Sequence, residues 1–162
     1  MLDDTAGPDD PGLDDTAGPD DPGLDDTAGP DDPGLDDTAG PDLEATVRSY
    51  WRRVWLDRDL GALDELITDL SIRHSARGSH TYTTDELKAL LGDALSAVRG
   101  ADVSFDAITV DAPYAWVRLT LQGVSIATMT PLTISWLVQY RFERGRIAET
   151  WSLHQANADW SS

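Results

Sequence analysis

The chain has 162 residues, no cysteine, and thirty Asp and Glu against twelve Lys and Arg, a formal net charge of −18 at pH 7. The lack of cysteine excludes a disulfide framework and any thiolate metal site. An acidic balance without a basic stripe argues against a nucleic-acid partner.

The charge is unevenly placed. LDDTAGPDDPG runs from Leu2 to Gly12 and recurs at Leu13 and Leu24, and a fourth copy breaks off at Asp42. Residues 1–42 hold fifteen Asp and no Lys, Arg or Glu, and their only large apolar side chains are Met1 and one Leu per repeat. Ordering a chain costs roughly 1–2 kcal/mol per residue, and this segment has too little apolar surface to offset that. Residues 1–42 are therefore expected to form a disordered acidic arm. A solenoid is disfavoured because each unit has one apolar side chain and is punctuated by Gly-Pro and Pro-Gly steps. The Asp spacing fits neither an EF-hand loop nor the calcium-binding β-helix repeat. Residues 43–162 then form one domain with fifteen acidic and twelve basic side chains, a net charge of about −3. The N-terminus has no basic n-region or apolar h-region, and no apolar run approaches the ~20 residues of a membrane span. A soluble, cytoplasmic protein is expected.

Asp42 is placed to cap a first helix, in which Val47, Tyr50, Trp51, Val54 and Trp55 recur at helical spacing among Arg48, Arg52, Arg53 and Arg58. Asp59 can cap a second, short helix carrying Leu60, Leu63, Leu66 and Ile67. Ser71–His74 reads as a brief extended piece, and RGSHTYTT, residues 77–84, as a polar loop. Thr83 with Glu86 forms a capping box before a third helix, with a stripe of Leu87, Leu90, Leu91, Ala94, Leu95 and Val98 ending at Gly100. Downstream, residues 103–110, 114–122, 133–142 and 146–153 are rich in β-branched and aromatic residues and read as four strands. Asp111-Ala112-Pro113 and Glu143-Arg144-Gly145 supply turns. Helices followed by consecutive antiparallel strands give an α+β fold with the helices covering one face of a curved sheet.

These features together resemble the SnoaL-like, or nuclear transport factor 2-like, family. The resemblance covers nearly all of residues 43–160. It rests on Tyr50-Trp51 in the opening helix, DLGALDEL at 59–66, His74 after the first short strand, the Arg118 strand ending at Gly123, and FERGRIAETW at 142–151. It implies a cone-shaped α+β roll in which N-terminal helices pack on a curved, mostly antiparallel sheet around one deep pocket, usually in a homodimer. It also implies no cofactor and a small apolar, polyketide-like substrate. His74 matches a histidine common at the family's pocket rim. Gln155 stands where many of the family's enzymes carry a general acid/base Asp, and an amide exchanges no proton near neutral pH.

In the last strand, period-two alternation puts Ile147, Glu149, Trp151, Leu153 and Gln155 on one face, and Ala148, Thr150, Ser152 and His154 on the other. The first set is the more apolar and is expected to face inward. Glu149 is then an acid on a buried face that requires a partner, and Arg118 is the expected one. Glu149 reads either as half of a structural ion pair or as a catalytic acid. His74, Glu149, Arg118 and His154 are the candidate catalytic residues, with the strand-end position of His154 also compatible with plain exposure. His80 reads as solvent-exposed. The three histidines have no i+2, i+3 or i+4 partners, so no metal site is expected. Trp51, Trp55, Trp116, Trp136, Tyr140, Trp151, Met129 and Gln155 are the candidate substrate contacts, because an aromatic-lined cavity holds ring-forming substrates by shape and stacking.

Three functions fit. The first is a cyclase of a polyketide-type natural-product intermediate that acts by conformational preorganisation, with a pericyclic ring closure compatible with the missing Asp. The second is an acid/base isomerase or dehydratase using His74, Glu149 or a Tyr. The third is a non-catalytic ligand-binding or dimerisation module. Deletion of residues 2–40 is expected to leave the melting temperature within about 2 °C of the full chain, since the arm offers no core side chains. A loss of several degrees in a thermal melt would show that the arm packs on the domain.

Overall fold

In the computed structural model, the described residues are 41–160. The expectation of a disordered arm falls, for residues 1–40, outside them.

Asp42 is the cap: its carboxylate accepts the Ala45 N–H at 3.0 Å, and helix α1, Leu43–Tyr50, follows. The chain runs on as a π-helical turn, Trp51–Leu56, which keeps Trp51, Val54 and Trp55 on the buried side with Leu43, Val47 and Tyr50. Asp59 accepts the Ala62 N–H at the start of a 3-10 turn, Leu60–Ala62, that continues into the short helix α2, Leu63–Leu66. Ile67, expected in that helix, instead opens strand β1, Ile67–Ser75, opposite Ile147. Its β-branched side chain is nearly fully buried there, so tertiary pairing overrides the helical stripe.

The segment expected as a polar loop is also a strand. Gly78–Thr83 forms β2, paired antiparallel with β1 from Leu70↔Thr83 to Ser75↔Gly78. It lies at the sheet edge, where an exposed strand has no need of apolar alternation, and its side chains are almost all solvent-facing. Helix α3, Thr84–Ser96, carries the expected capping box of Thr83 with Glu86 and buries Leu87, Leu91 and Leu95. It stops before the expected Gly100, because Val98 pairs with Ser125 and opens the long strand β3, Val98–Asp111. Strands β4, Tyr114–Ser125, β5, Pro131–Glu143, and β6, Arg146–Ala156, follow as expected.

The six strands form one sheet in the order β2-β1-β6-β5-β4-β3. Neighbours are antiparallel except β1 and β6, which run parallel. The helices cover one face of this curved sheet, completing a cone-shaped α+β roll. The β5–β6 turn has Arg144 and Gly145 at φ 52° and 77°, the left-handed backbone of a tight hairpin. Register runs Glu143↔Arg146 and Phe142↔Ile147, then jumps to Arg141↔Glu149. Ala148 is therefore the extra residue of a β-bulge, and both Ile147 and Ala148 are buried. Beyond the bulge, Thr150, Ser152 and His154 continue the helix-covered face, while Glu149, Trp151 and Leu153 turn to the other side. The expected inward set of β6 is thus correct for Ile147 and reversed for the rest.

At the base of the roll, Trp51 stacks on Trp55 at 5.2 Å between ring centroids and meets Trp136 edge-on at 5.8 Å. The Trp51 indole N–H donates to the Tyr140 hydroxyl at 2.9 Å, which settles the polar atoms of two fully buried rings. This cluster ties the π-helical turn after α1 to the middle of β5.

Candidate active site

A cavity of about 860 Å³ lies between α3 and the helix-covered face of the sheet. Leu90, Leu91 and Ala94 of α3 form one wall, Leu121 and Ile134 of β4 and β5 the other, and Trp55 and Trp136 the aromatic part. Strand alternation sends Arg73 and Ser75 of β1 and Ser152 and His154 of β6 into the same space, while the edge strand adds His80 and Tyr82. The His154 ring stacks on Trp136 at 4.5 Å. Among the described residues, no Asp or Glu lines this cavity.

Arg73 is the residue that the sequence reading missed. It lies where the cavity meets the aromatic cluster, beside Tyr50, Trp55, Trp136 and Tyr140. Burial works against its charge, but the phenols of Tyr50, Tyr140 and Tyr82 outweigh that and hold the guanidinium firmly protonated. Burial pushes the Tyr140 phenol well above its ordinary range, so that ring stays neutral and does not cancel the cation. The signal was available in SIRHS, where period-two spacing places Arg73 on one face with Ser71 and Ser75. The indole N–H groups of Trp55 and Trp136 and the Ser71 hydroxyl are buried without a protein hydrogen-bond partner.

The predicted catalytic residues divide between the two faces. His154 reaches the cavity; His74 and Glu149 do not. They meet on the outer face, where His74 Nε2 donates to Glu149 Oε1 at 2.8 Å and its ring stacks on Trp151 at 4.9 Å. Since a carboxylate only accepts, the Nε2 carries the proton, and in the neutral ring Nδ1 accepts from the Ser79 hydroxyl at 2.6 Å. The expected Glu149–Arg118 pair is absent: Arg141 Nε donates to Glu149 Oε2 at 2.8 Å, whereas Arg118 Nε lies 3.8 Å from the buried Asp106 carboxylate. Strand order is the cause: Glu149 of β6 sits opposite Arg141 of β5, and β5 separates it from Arg118 of β4, which lies beside Asp106 of β3.

The predicted substrate contacts divide similarly. Trp55 and Trp136 line the cavity, and Trp51 and Tyr140 form its base. Trp116 and Trp151 instead border an open groove of about 380 Å³ on the outer face, with Leu137 and Leu153. Met129 sits in the β4–β5 turn at φ 57° and is largely exposed, and Gln155 is exposed at the outer end of β6. Neither lines the cavity. His80, read as solvent-facing, is exposed but borders the cavity. Among the described residues, no group of three His, Asp or Glu side chains is placed to hold a metal ion. Nor is any of their helices long and apolar enough to cross a membrane.

A roll of three helices on a six-stranded sheet with one deep cavity is the architecture of the nuclear transport factor 2-like class. The SnoaL-like domain model matches residues 47–150, more than half of the sequence, and the chain belongs to that family. Among solved structures, it is similar to IdmH from Streptomyces antibioticus, at 16% identity and a TM-score of 0.61, over 70% of this chain and 92% of that one. A SnoaL-like polyketide cyclase from Agrobacterium tumefaciens is similar at 14% identity and a TM-score of 0.61, covering 70% and 91%. A protein of ketosteroid isomerase-like fold from Catenulispora acidiphila, solved in complex with trimethylamine, is similar at 14% identity and a TM-score of 0.57, covering 70% and 85%. At these identities the likeness is one of fold. No curated protein sequence matches significantly.

The His74 and Arg141 hydrogen bonds hold the Glu149 carboxyl below the ordinary value of 4.5. A depressed folded pKa stabilises the fold fully above that value, and the contribution is lost as pH falls through the folded one. Glu149→Gln is therefore expected to flatten the acid limb of the stability–pH curve. A double-mutant cycle with Arg141→Met should show coupling of about 1–2 kcal/mol, as for a partly buried, charge-assisted pair. The same cycle with Arg118→Met should be additive.

Proposed function

We propose that this protein closes a ring in a polyketide-type intermediate held in the cavity beneath α3. The observation that carries this reading is a cavity of about 860 Å³ with a largely apolar and aromatic wall and, among the described residues, no carboxylate in it. Such a space folds a flexible chain so that the reacting carbons sit within about 3–3.5 Å, and that positioning alone can remove a large part of the barrier. A pericyclic closure needs this confinement and no proton transfer. Membership of the SnoaL-like family and the likeness to a structure named as a polyketide cyclase support the substrate class.

One observation favours a second reading. His154 stands in the cavity wall, braced against Trp136, and a histidine there could serve as an acid/base for isomerisation or dehydration. Chromatography with mass spectrometry and NMR separates the two: incubation with linear polyketide-type chains is expected to give a product of unchanged mass and altered retention whose NMR spectrum shows a new ring. Isomerisation instead gives unchanged mass without a new ring, and dehydration removes the mass of water. Under saturating substrate the rate should be nearly flat between pH 6 and pH 8, and His154→Ala should keep most of it. Truncation of Trp55 or Trp136 to Ala should cost about tenfold or more. A bell-shaped profile abolished by His154→Ala would favour acid/base chemistry, and binding without turnover would favour a ligand-binding module.

We also propose a homodimer through the outer sheet face. Support comes from Trp116, Leu137 and Leu153, which are 37%, 49% and 61% exposed around one groove. Leu137→Arg combined with Leu153→Arg is expected to halve the mass measured by light scattering while leaving the circular dichroism spectrum unchanged.

A further inference from the structure

We infer that the cavity beneath α3 takes a ligand with an apolar ring body and a single carboxylate, and that the carboxylate seats on the Arg73 guanidinium. The inference rests on the reading of this cavity as the ligand site, and not on any catalysis there.

Charge is the first observation. The ionisable side chains around the cavity are Arg73, Arg77, His80, His154 and Tyr82, with no acid among the described residues that line it. Arg77, His80 and His154 are exposed and lie toward the opening, whereas Arg73 is at least half-buried at the inner end. Its polar surroundings are the phenols of Tyr50, Tyr82 and Tyr140. These accept from a guanidinium but do not neutralise it. A cation so placed keeps its charge, and no described residue lining the cavity supplies a counter-charge to it.

A second observation comes from the neighbouring indoles. Trp55 and Trp136 both line the cavity, and neither N–H makes a hydrogen bond to the protein. The wall therefore holds donors: the Arg73 guanidinium and two indole N–H groups without a protein partner. A carboxylate answers them with acceptors alone and can take the guanidinium in a bidentate manner. The remaining wall, Leu90, Leu91, Leu121 and Ile134, then covers the apolar body. A neutral ligand would leave the Arg73 charge as it stands.

The test uses two probes of the same shape, 2-naphthoate and 2-naphthamide, titrated calorimetrically into the full chain at pH 7. The carboxylate is expected to bind at least about tenfold more tightly, as for a charge-assisted contact. Arg73→Met should abolish that preference while leaving the amide's affinity nearly unchanged, Arg73→Lys should keep part of it, and Arg77→Met should keep it whole. If Arg73→Met fails to fold by circular dichroism, Arg73→Gln, which still donates to the phenols, carries the same expectation. Equal affinities for the two probes, no binding of either, or a preference that survives loss of Arg73 would overturn the inference. Intact carboxylate preference without turnover of any polyketide chain would instead sink the cyclase reading alone.

Discussion

One inserted residue in one hairpin decides what this molecule shows to each side of its sheet. Ala148 bulges out of the β5–β6 ladder, so Ile147 packs into the core while Glu149, Trp151 and Leu153 are turned outward. With β5 as a straight partner, every later side chain of β6 changes face with that single residue. Had the ladder stayed regular, Glu149 and Trp151 would enter the cavity, and Ser152 and His154 would leave it. An acid beside Arg73 would then cancel the cavity's positive character. The chemistry open to this site depends on a backbone irregularity more than on the side-chain inventory.

The two faces consequently have different electrostatics. On the outer face, cations and anions are matched: Arg141 bridges Glu143 and Glu149, and His74 completes the row. Such a row is satisfied internally and gives a ligand little to gain. On the cavity side the described lining carries Arg73 and Arg77 and no carboxylate, and the aromatic cluster of Trp51, Trp55, Trp136 and Tyr140 packs beside Arg73. A single charge counts most where apolar and aromatic side chains surround it, as these rings surround Arg73.

The long strands also explain how so small a domain keeps a large cavity open. β3, β4 and β5 are each at least twelve residues long and bend around α3, whose Leu87, Leu91 and Leu95 are anchored while Leu90 and Ala94 face the open space. The core proper lies at the α1 end, where Val47, Trp51 and Val54 meet Val117, Leu119 and Tyr140. Stability is concentrated there, and the other end of the roll can remain hollow.

Much of this architecture was legible in the residues alone. The Asp42 and Asp59 caps, the Thr83–Glu86 box, the three helices and the four later strands follow from local rules of capping and alternation, which act over a few neighbours along the chain. The aromatic residues likewise announced a large apolar interior. What the residues could not announce was pairing between distant segments: that Ile67 would join Ile147, that the polar run at 78–83 would become an edge strand, and that Asp106 rather than Glu149 would face Arg118. The candidate site suffered most, because its membership turns on face, and face turns on the bulge at Ala148. A bulge is selected by how the two strands and the core beneath them fit in three dimensions, and a reading by strict period two carries past it without a mark. Arg73, with only polar neighbours on its face of β1, declared its importance once the sheet curled and brought Tyr50, Trp136 and Tyr140 around it.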